Sequence, residues 1–186
     1  MLLKNTEPQV KRWTREEFYE LAERGYFRNG RVQLLDGEII VMAPHGHAHA
    51  RCITYLVRWA IASFGGAYVV RSQLPLNASE YSDPEPDVAV VPGPLDAYTD
   101  HPQSAALVIE ASDSSVKLDR RKAPIYATAG VKEYWLVNLQ ASQIEIYRPN
   151  ANDPLHYDEP MIRKRSDTIS PLERPEATLV ITEVLG

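Results

Sequence analysis

A chain of 186 residues, 44% hydrophobic and 24% charged, fits a single globular domain large enough to bury a proper core. Its 25 acidic and 20 basic side chains leave a net charge of −5. That argues against a non-specific nucleic-acid coat, which draws on phosphate neutralisation by Lys and Arg, but leaves room for a local basic cleft. The lone Cys52 excludes an internal disulfide and a Cys-rich zinc module, while no run approaches the roughly 18 apolar residues of a membrane span and the opening MLLKNTEPQVKRW lacks a signal-peptide core, so a cytoplasmic protein is expected.

Thr14-Arg15-Glu16-Glu17 has the capping-box pattern and predicts a helix over residues 14–24 that Gly25 ends. Val32-Gln33-Leu34-Leu35 and Glu38-Ile39-Ile40-Val41-Met42 flank Asp36-Gly37, a two-residue hairpin signal, and are expected to pair antiparallel. After His45-Gly46-His47-Ala48-His49, the apolar residues Ile53, Leu56, Val57, Ala60, Ile61 and Phe64 recur at helical spacing, so a long helix runs to Gly65-Gly66. Tyr68-Val69-Val70 reads as a strand. Asp83-Pro84-Glu85-Pro86 is a rigid lead-in, outside any central ladder, to the apolar run Val88-Ala89-Val90-Val91. A Pro-rich link through Pro92, Pro94 and Pro102 reaches the strand at Leu107. Residues 119–129 suit a helix ending at Gly130, with Pro124 expected to delay or distort its start. Residues 133–137 and 143–147 read as a hairpin, and Met161-Ile162-Arg163 and Thr178-Leu179-Val180-Ile181 as short strands. Helices interleaved with strands indicate an α/β fold, a mixed β-sheet flanked by helices on both faces.

Asp87 opens one apolar run, and Glu110 closes another, Leu107-Val108-Ile109-Glu110. Ionised carboxylates beside such strands are costly to desolvate unless paired or metal-bound, so two converging acids make a divalent-cation site. Ser112 lies two residues after Glu110 and projects from the same face if the strand continues. Lys122 follows about one helical element later, where an ammonium helps hold and activate an attacking water. Two acids and a lysine suit phosphodiester hydrolysis. Spacing alone leaves an alternative open, in which Asp87 caps a turn, Glu110 pairs with Arg120 or Arg121, and Lys122 is solvated. Lys117, Arg120, Arg121 and Lys122 form a basic group, as do Arg163-Lys164-Arg165; each reads as a phosphate contact or a solvated face. The alternating His45, His47 and His49, with Cys52 at i,i+3 from His49, keep a zinc-binding regulatory module among the readings. Tyr126, Tyr134 and Trp135 are expected in the core or at a dimer contact.

The segments PEPDVAVV and LVIEASDSSVKLDRRKAPIYATAGVKEYWLVN, with LLDGEIIVMAPHGHAH upstream, resemble the Uma-two family of putative restriction endonucleases within the PD-(D/E)XK nuclease superfamily. The match spans roughly residues 31–147 and is most specific from Glu110 to Trp135. The resemblance implies a restriction-endonuclease-like core in which Asp87, preceded by Pro86, and Glu110 ligate Mg²⁺, with Mn²⁺ as a substitute. It implies that Lys122 serves where the usual lysine two residues after the second acid is replaced by Ser112, and that His49 supports the site. One departure stands out: Gln33 occupies a position where the family commonly has Glu, and Glu38 either compensates or points into solvent.

The expected molecule is thus one nuclease-like domain over 1–186, with an N-terminal helix at 14–24, a core at about 31–147 and C-terminal strands over 155–186. Its expected partner is nucleic acid, DNA in the first instance, bound by Lys117, Arg120 and Arg121. No membrane is involved, and a homodimer suits two-strand cleavage. The runner-up is a nuclease-fold module that binds nucleic acid or protein without efficient cleavage, motivated by Gln33, Ser112 and the acidic total charge.

Overall fold

A computed structural model describes residues 8–186; residues 1–7, which begin the opening segment without a signal-peptide core, lie outside it. The first helix, α1 (Arg15–Glu23), starts at the expected capping box: the Glu17 amide donates to Thr14 Oγ1 at 3.2 Å, and the Thr14 amide donates to Glu17 Oε2 at 2.9 Å. Strands β1 (Val32–Leu35) and β2 (Glu38–Val41) form the antiparallel hairpin. Its turn places Asp36 at φ 49° and Gly37 at φ 76°, the positive values that a tight two-residue turn requires. This hairpin is a sheet of its own.

The long helix α2 (His47–Phe64) precedes a six-stranded sheet made of β3 (Tyr68–Arg71), β4 (Val88–Pro92), β5 (Leu107–Ser112), β6 (Tyr134–Asn138), β7 (Gln143–Tyr147) and β8 (Met161–Lys164), in that spatial order. Only β5 and β6 are parallel. A parallel pair needs a crossover, and α3 (Val116–Thr128) supplies it. Strand alternation then divides the interior in two. Val88, Val90, Leu107, Ile109 and Ala111 pack with Cys52, Leu56, Ala60 and Phe64 of α2, whereas Ala89, Val91 and Val108 pack with Ala123 and Tyr126 of α3. The sheet is therefore covered on both faces, as expected, and among the described residues no helix is long and apolar enough to cross a membrane.

Two expectations need correcting. Helix α3 begins at Val116, earlier than expected, and carries Pro124 in its interior. The missing N–H leaves a backbone bond unmade, but Asp119, Lys122, Ala123, Ile125, Tyr126 and Ala127 are all buried, and that tertiary anchoring outweighs the local defect. The tail is not all strand. After β9 (Thr168–Ile169) pairs with β10 (Leu179–Val180), residues 181–185 form α4 (Ile181–Leu185). Ile181 and Val184, three apart, are the buried pair that selects the helical turn.

Candidate active site

The β4–β5 register sets Val88 opposite Ile109, and one step further along it Asp87 faces Glu110. Each carboxylate takes a backbone amide from the neighbouring strand at this end of the ladder. The Asp87 amide donates to Glu110 Oε2 at 3.3 Å, and the Ala111 amide donates to Asp87 Oδ2 at 2.9 Å. Both carboxylates are buried and line one cleft with Lys122, His49, His45, Gln33, Glu85 and Arg31. The spacing of residues along α3 aims Lys122 and Tyr126, four apart, at the same acid: Lys122 Nζ and Tyr126 Oη donate to Glu110 Oε1 at 2.9 and 2.6 Å.

Burial drives the electrostatics here. It pushes the Glu110 carboxyl up to about 7, against the pull of the Lys122 ammonium and with a further push from Asp87 and Asp119. Burial also opposes ionisation of Asp87, but the His49 hydrogen bond and charge, the Ala111 amide and Lys122 outweigh it and hold its pKa below the ordinary value. For Lys122, burial favours the neutral amine, yet the charges of Glu110 and Asp119 win and raise its pKa. Asp119 lies 3.1 Å from Lys122 Nζ and accepts from Ser115 Oγ at 2.6 Å, so one buried ammonium is shared by two acids.

The other wall is built by the hairpin, the lead-in to β4 and the start of α2. His49 Nε2 lies 3.1 Å from Asp87 Oδ2; burial lowers its basicity, but the contact with Asp87 more than restores it and leaves the imidazole pKa raised. Gln33 is buried. Its amide donates to Met42 Sδ at 2.7 Å, and its oxygen receives the Glu85 amide at 3.4 Å. Arg31 holds Glu85 at 3.0 Å.

Asp87, Glu110, Lys122, His49 and Gln33 thus converge, and the alternative in which Glu110 pairs with Arg120 or Arg121 does not describe the fold. Those two guanidiniums bind elsewhere, Arg120 to Glu145 at 2.6 Å and Arg121 to Glu38 at 2.8 Å. Glu38 is exposed and does not line the cleft. Lys117 is exposed on α3. Ser112 shares the face of Glu110 but is fully buried, and its hydroxyl meets Ser115 Oγ at 3.1 Å rather than the cleft. Cys52 sits in the apolar core, where burial pushes its thiol up to about 12, so it offers no thiolate beside His49. Trp135 and Tyr134 are core residues. Sequence reasoning missed Tyr126 as a hydrogen-bond donor, Asp119, Ser115, Glu85 and Arg31. For Tyr126 and Asp119 a signal existed: both stand at helical spacing from Lys122, on the buried face of α3.

The donor chemistry fits a hard divalent cation. The carboxylate oxygens with acceptor capacity to spare are Glu110 Oε2 and Asp87 Oδ1, whose hydrogen bonds among the described residues are long ones, 3.3 Å from the Asp87 amide and 3.4 Å from Gln73 Nε2. Oxygen ligands from carboxylates are what Mg²⁺ takes.

No curated protein sequence matches the chain. Among solved structures, a crystal structure described as a putative nuclease belonging to DUF820, from Anabaena variabilis, is similar at 15% sequence identity. The match covers 92% of this chain and 97% of that one, with a TM-score of 0.76. That likeness establishes the fold. Residues 15–182 match the family described as Uma2, putative restriction endonuclease. A match over nearly the whole chain, on a nuclease fold whose two strand-end acids meet in one cleft, places this protein in the Uma2 family.

Proposed function

We propose that the chain acts as one nuclease-like domain, a Mg²⁺-dependent endonuclease that hydrolyses phosphodiester bonds of nucleic acid, with DNA as substrate and Mn²⁺ able to replace Mg²⁺. The observation that carries this reading is the facing of Asp87 and Glu110 across the strand ends, where the Asp87 amide binds Glu110 and the Ala111 amide binds Asp87, so that two carboxylates reach one cleft beside the Lys122 ammonium. Asp87 and Glu110 would hold the ion, which when bound supplies Lewis-acid polarisation of the phosphoryl oxygen and a more acidic water. Lys122, held charged by Glu110 and Asp119, does not accept a proton. Its part is to orient water and to stabilise negative charge that develops on the phosphate. Tyr126 fixes Glu110 Oε1 and leaves Oε2 toward the cleft. His49 orients Asp87. Lys117, together with the half-exposed Arg120 and Arg121, which keep solvent-facing area beside their pairs with Glu145 and Glu38, meets the nucleic-acid backbone from the helix that delivers Lys122, and a homodimer suits cleavage of two strands.

A second reading, a module that binds without efficient cleavage, is favoured by Gln33: an uncharged amide lies in the cleft at the position where the family resemblance implies an acid. Nicking of supercoiled plasmid separates the two. Mg²⁺-dependent nicking that is lost in Asp87→Asn and in Glu110→Gln supports the enzyme. DNA binding without nicking at any Mg²⁺ or Mn²⁺ concentration overturns it in favour of the module.

A further inference from the structure

At the mouth of the cleft, His45, His49 and Asp87 each offer one ligand atom, and the three atoms lie within 4.8 Å of one another. The two imidazoles are 4.2 Å apart between ring centroids, and His49 Nε2 is already 3.1 Å from Asp87 Oδ2. His49 commits Nε2 to Asp87, whereas the contacts of His45 conflict. His45 meets Arg31 Nη1 at 3.2 Å on one ring nitrogen and Gln73 Nε2 at 3.0 Å on the other. A guanidinium only donates, and a neutral imidazole has one lone pair to accept with. One of the two contacts therefore sets N–H against N–H. Turning the Gln73 amide around relieves this only by setting its oxygen 3.4 Å from Asp87 Oδ1, acceptor facing acceptor.

We propose that His45, His49 and Asp87 form a second metal position, selective for a borderline transition-metal dication of the Zn²⁺ and Co²⁺ kind, beside the Asp87–Glu110 position and sharing Asp87 with it. Two imidazoles and one carboxylate favour such ions, whereas Mg²⁺ prefers oxygen. Ligand bonds of about 2.0–2.1 Å put tetrahedral donors about 3.4 Å apart, slightly wider than the 3.1 Å of the His49–Asp87 pair. Only His45, exposed and ahead of α2, has to swing inward, and in doing so it leaves one of its two donor contacts. The site rests on the cleft read above as a nuclease centre, but its selectivity comes from the histidines alone. Its place beside the Mg²⁺ position makes the loaded protein a carrier of two unlike cations.

Co²⁺ titration of the full chain in saturating Mg²⁺, read by visible absorption and calorimetry, tests this. One Co²⁺ should bind without displacing Mg²⁺ and show ligand-field bands. His45→Ala should weaken Co²⁺ by about 100-fold, because even outer-shell losses at metal sites cost 10–100-fold, and leave Mg²⁺ binding as it was. Glu110→Gln should do the reverse, and His47→Ala should change neither. Competition between Co²⁺ and Mg²⁺ for a single site, or Co²⁺ affinity unmoved by His45→Ala, overturns the proposal. Co²⁺ binding that depends on His45 in a chain that takes up no Mg²⁺ would keep the second site and remove the Mg²⁺ reading.

Discussion

Lys122→Met removes the one ammonium that two buried acids share. Lys122 is 1% exposed and Glu110 3%, so the pair is desolvated, and deleting one partner of a buried ion pair costs about 3–5 kcal/mol if the other stays charged. Glu110 has an escape. Its pKa, raised by burial, stands at about 7 with Lys122 present, and without that cation it rises further. A carboxyl whose folded pKa is raised contributes stability that is complete below its unfolded pKa and is lost as pH rises through the folded value. In the parent that loss ends near pH 7; in Lys122→Met it continues to higher pH. The gap between the two proteins should therefore be least at pH 6, where the cost of the lost Asp119 contact remains, and widen by about 1.4 kcal/mol per pH unit above 7, toward the 3–5 kcal/mol ceiling. Urea unfolding followed by circular dichroism at pH 6, 7, 8 and 9 measures it. A destabilisation that is constant with pH, or below about 1 kcal/mol throughout, would refute a buried, ionised Glu110–Lys122 pair.

Three other outcomes follow from the same contacts. Mg²⁺ affinity should rise as pH increases through about 7, because Glu110 must shed its proton to ligate; calorimetry in buffers of different ionisation enthalpy should show proton release on binding at pH 6.5 and little at pH 8.5. Gln33→Glu should strengthen Mg²⁺ binding and lower stability without the ion, since Glu85 already engages the Arg31 guanidinium and a second, buried acid beside it gains a further counter-charge from the bound cation; thermal melts with and without Mg²⁺ give both. Arg120→Ala should destabilise by about 1 kcal/mol, because half of Arg120 is exposed and screened although Glu145 is buried. Burial opposes ionisation of Glu145, but Arg120 and Tyr147 hold its pKa low, so this effect belongs to pH above the carboxylate range and fades as pH falls through it.

Local physics made much of this fold legible. The capping box at Thr14 and the Asp36-Gly37 turn are set by a few neighbouring residues, and both form where the pattern places them. Asp87 and Glu110 were legible as a pair because acids at the ends of apolar strands need a reason to be there, and the β4–β5 register supplies it. What depended on distant partners was not. The pairing of Arg120 with Glu145 and of Arg121 with Glu38, 25 and 83 residues away, has no local signature. Ser112 followed strand alternation correctly, yet the loop into α3 covers it and gives its hydroxyl to Ser115. Cys52 and His49 share helical spacing, but their places on α2 send one into the core and the other to the cleft. The α3 proline misled because a local rule was weighed without the burial that overrides it.

The claim on which the rest depends is that Asp87 and Glu110 jointly hold a divalent cation. Anomalous diffraction from crystals soaked in Mn²⁺ tests it most directly. A peak within ligand distance, about 2.0–2.6 Å, of one oxygen from each carboxylate is the expected result. A peak that touches the histidines and Asp87 but never Glu110, or Glu110 still bonded only to Lys122 and Tyr126 at saturating Mn²⁺, would contradict it.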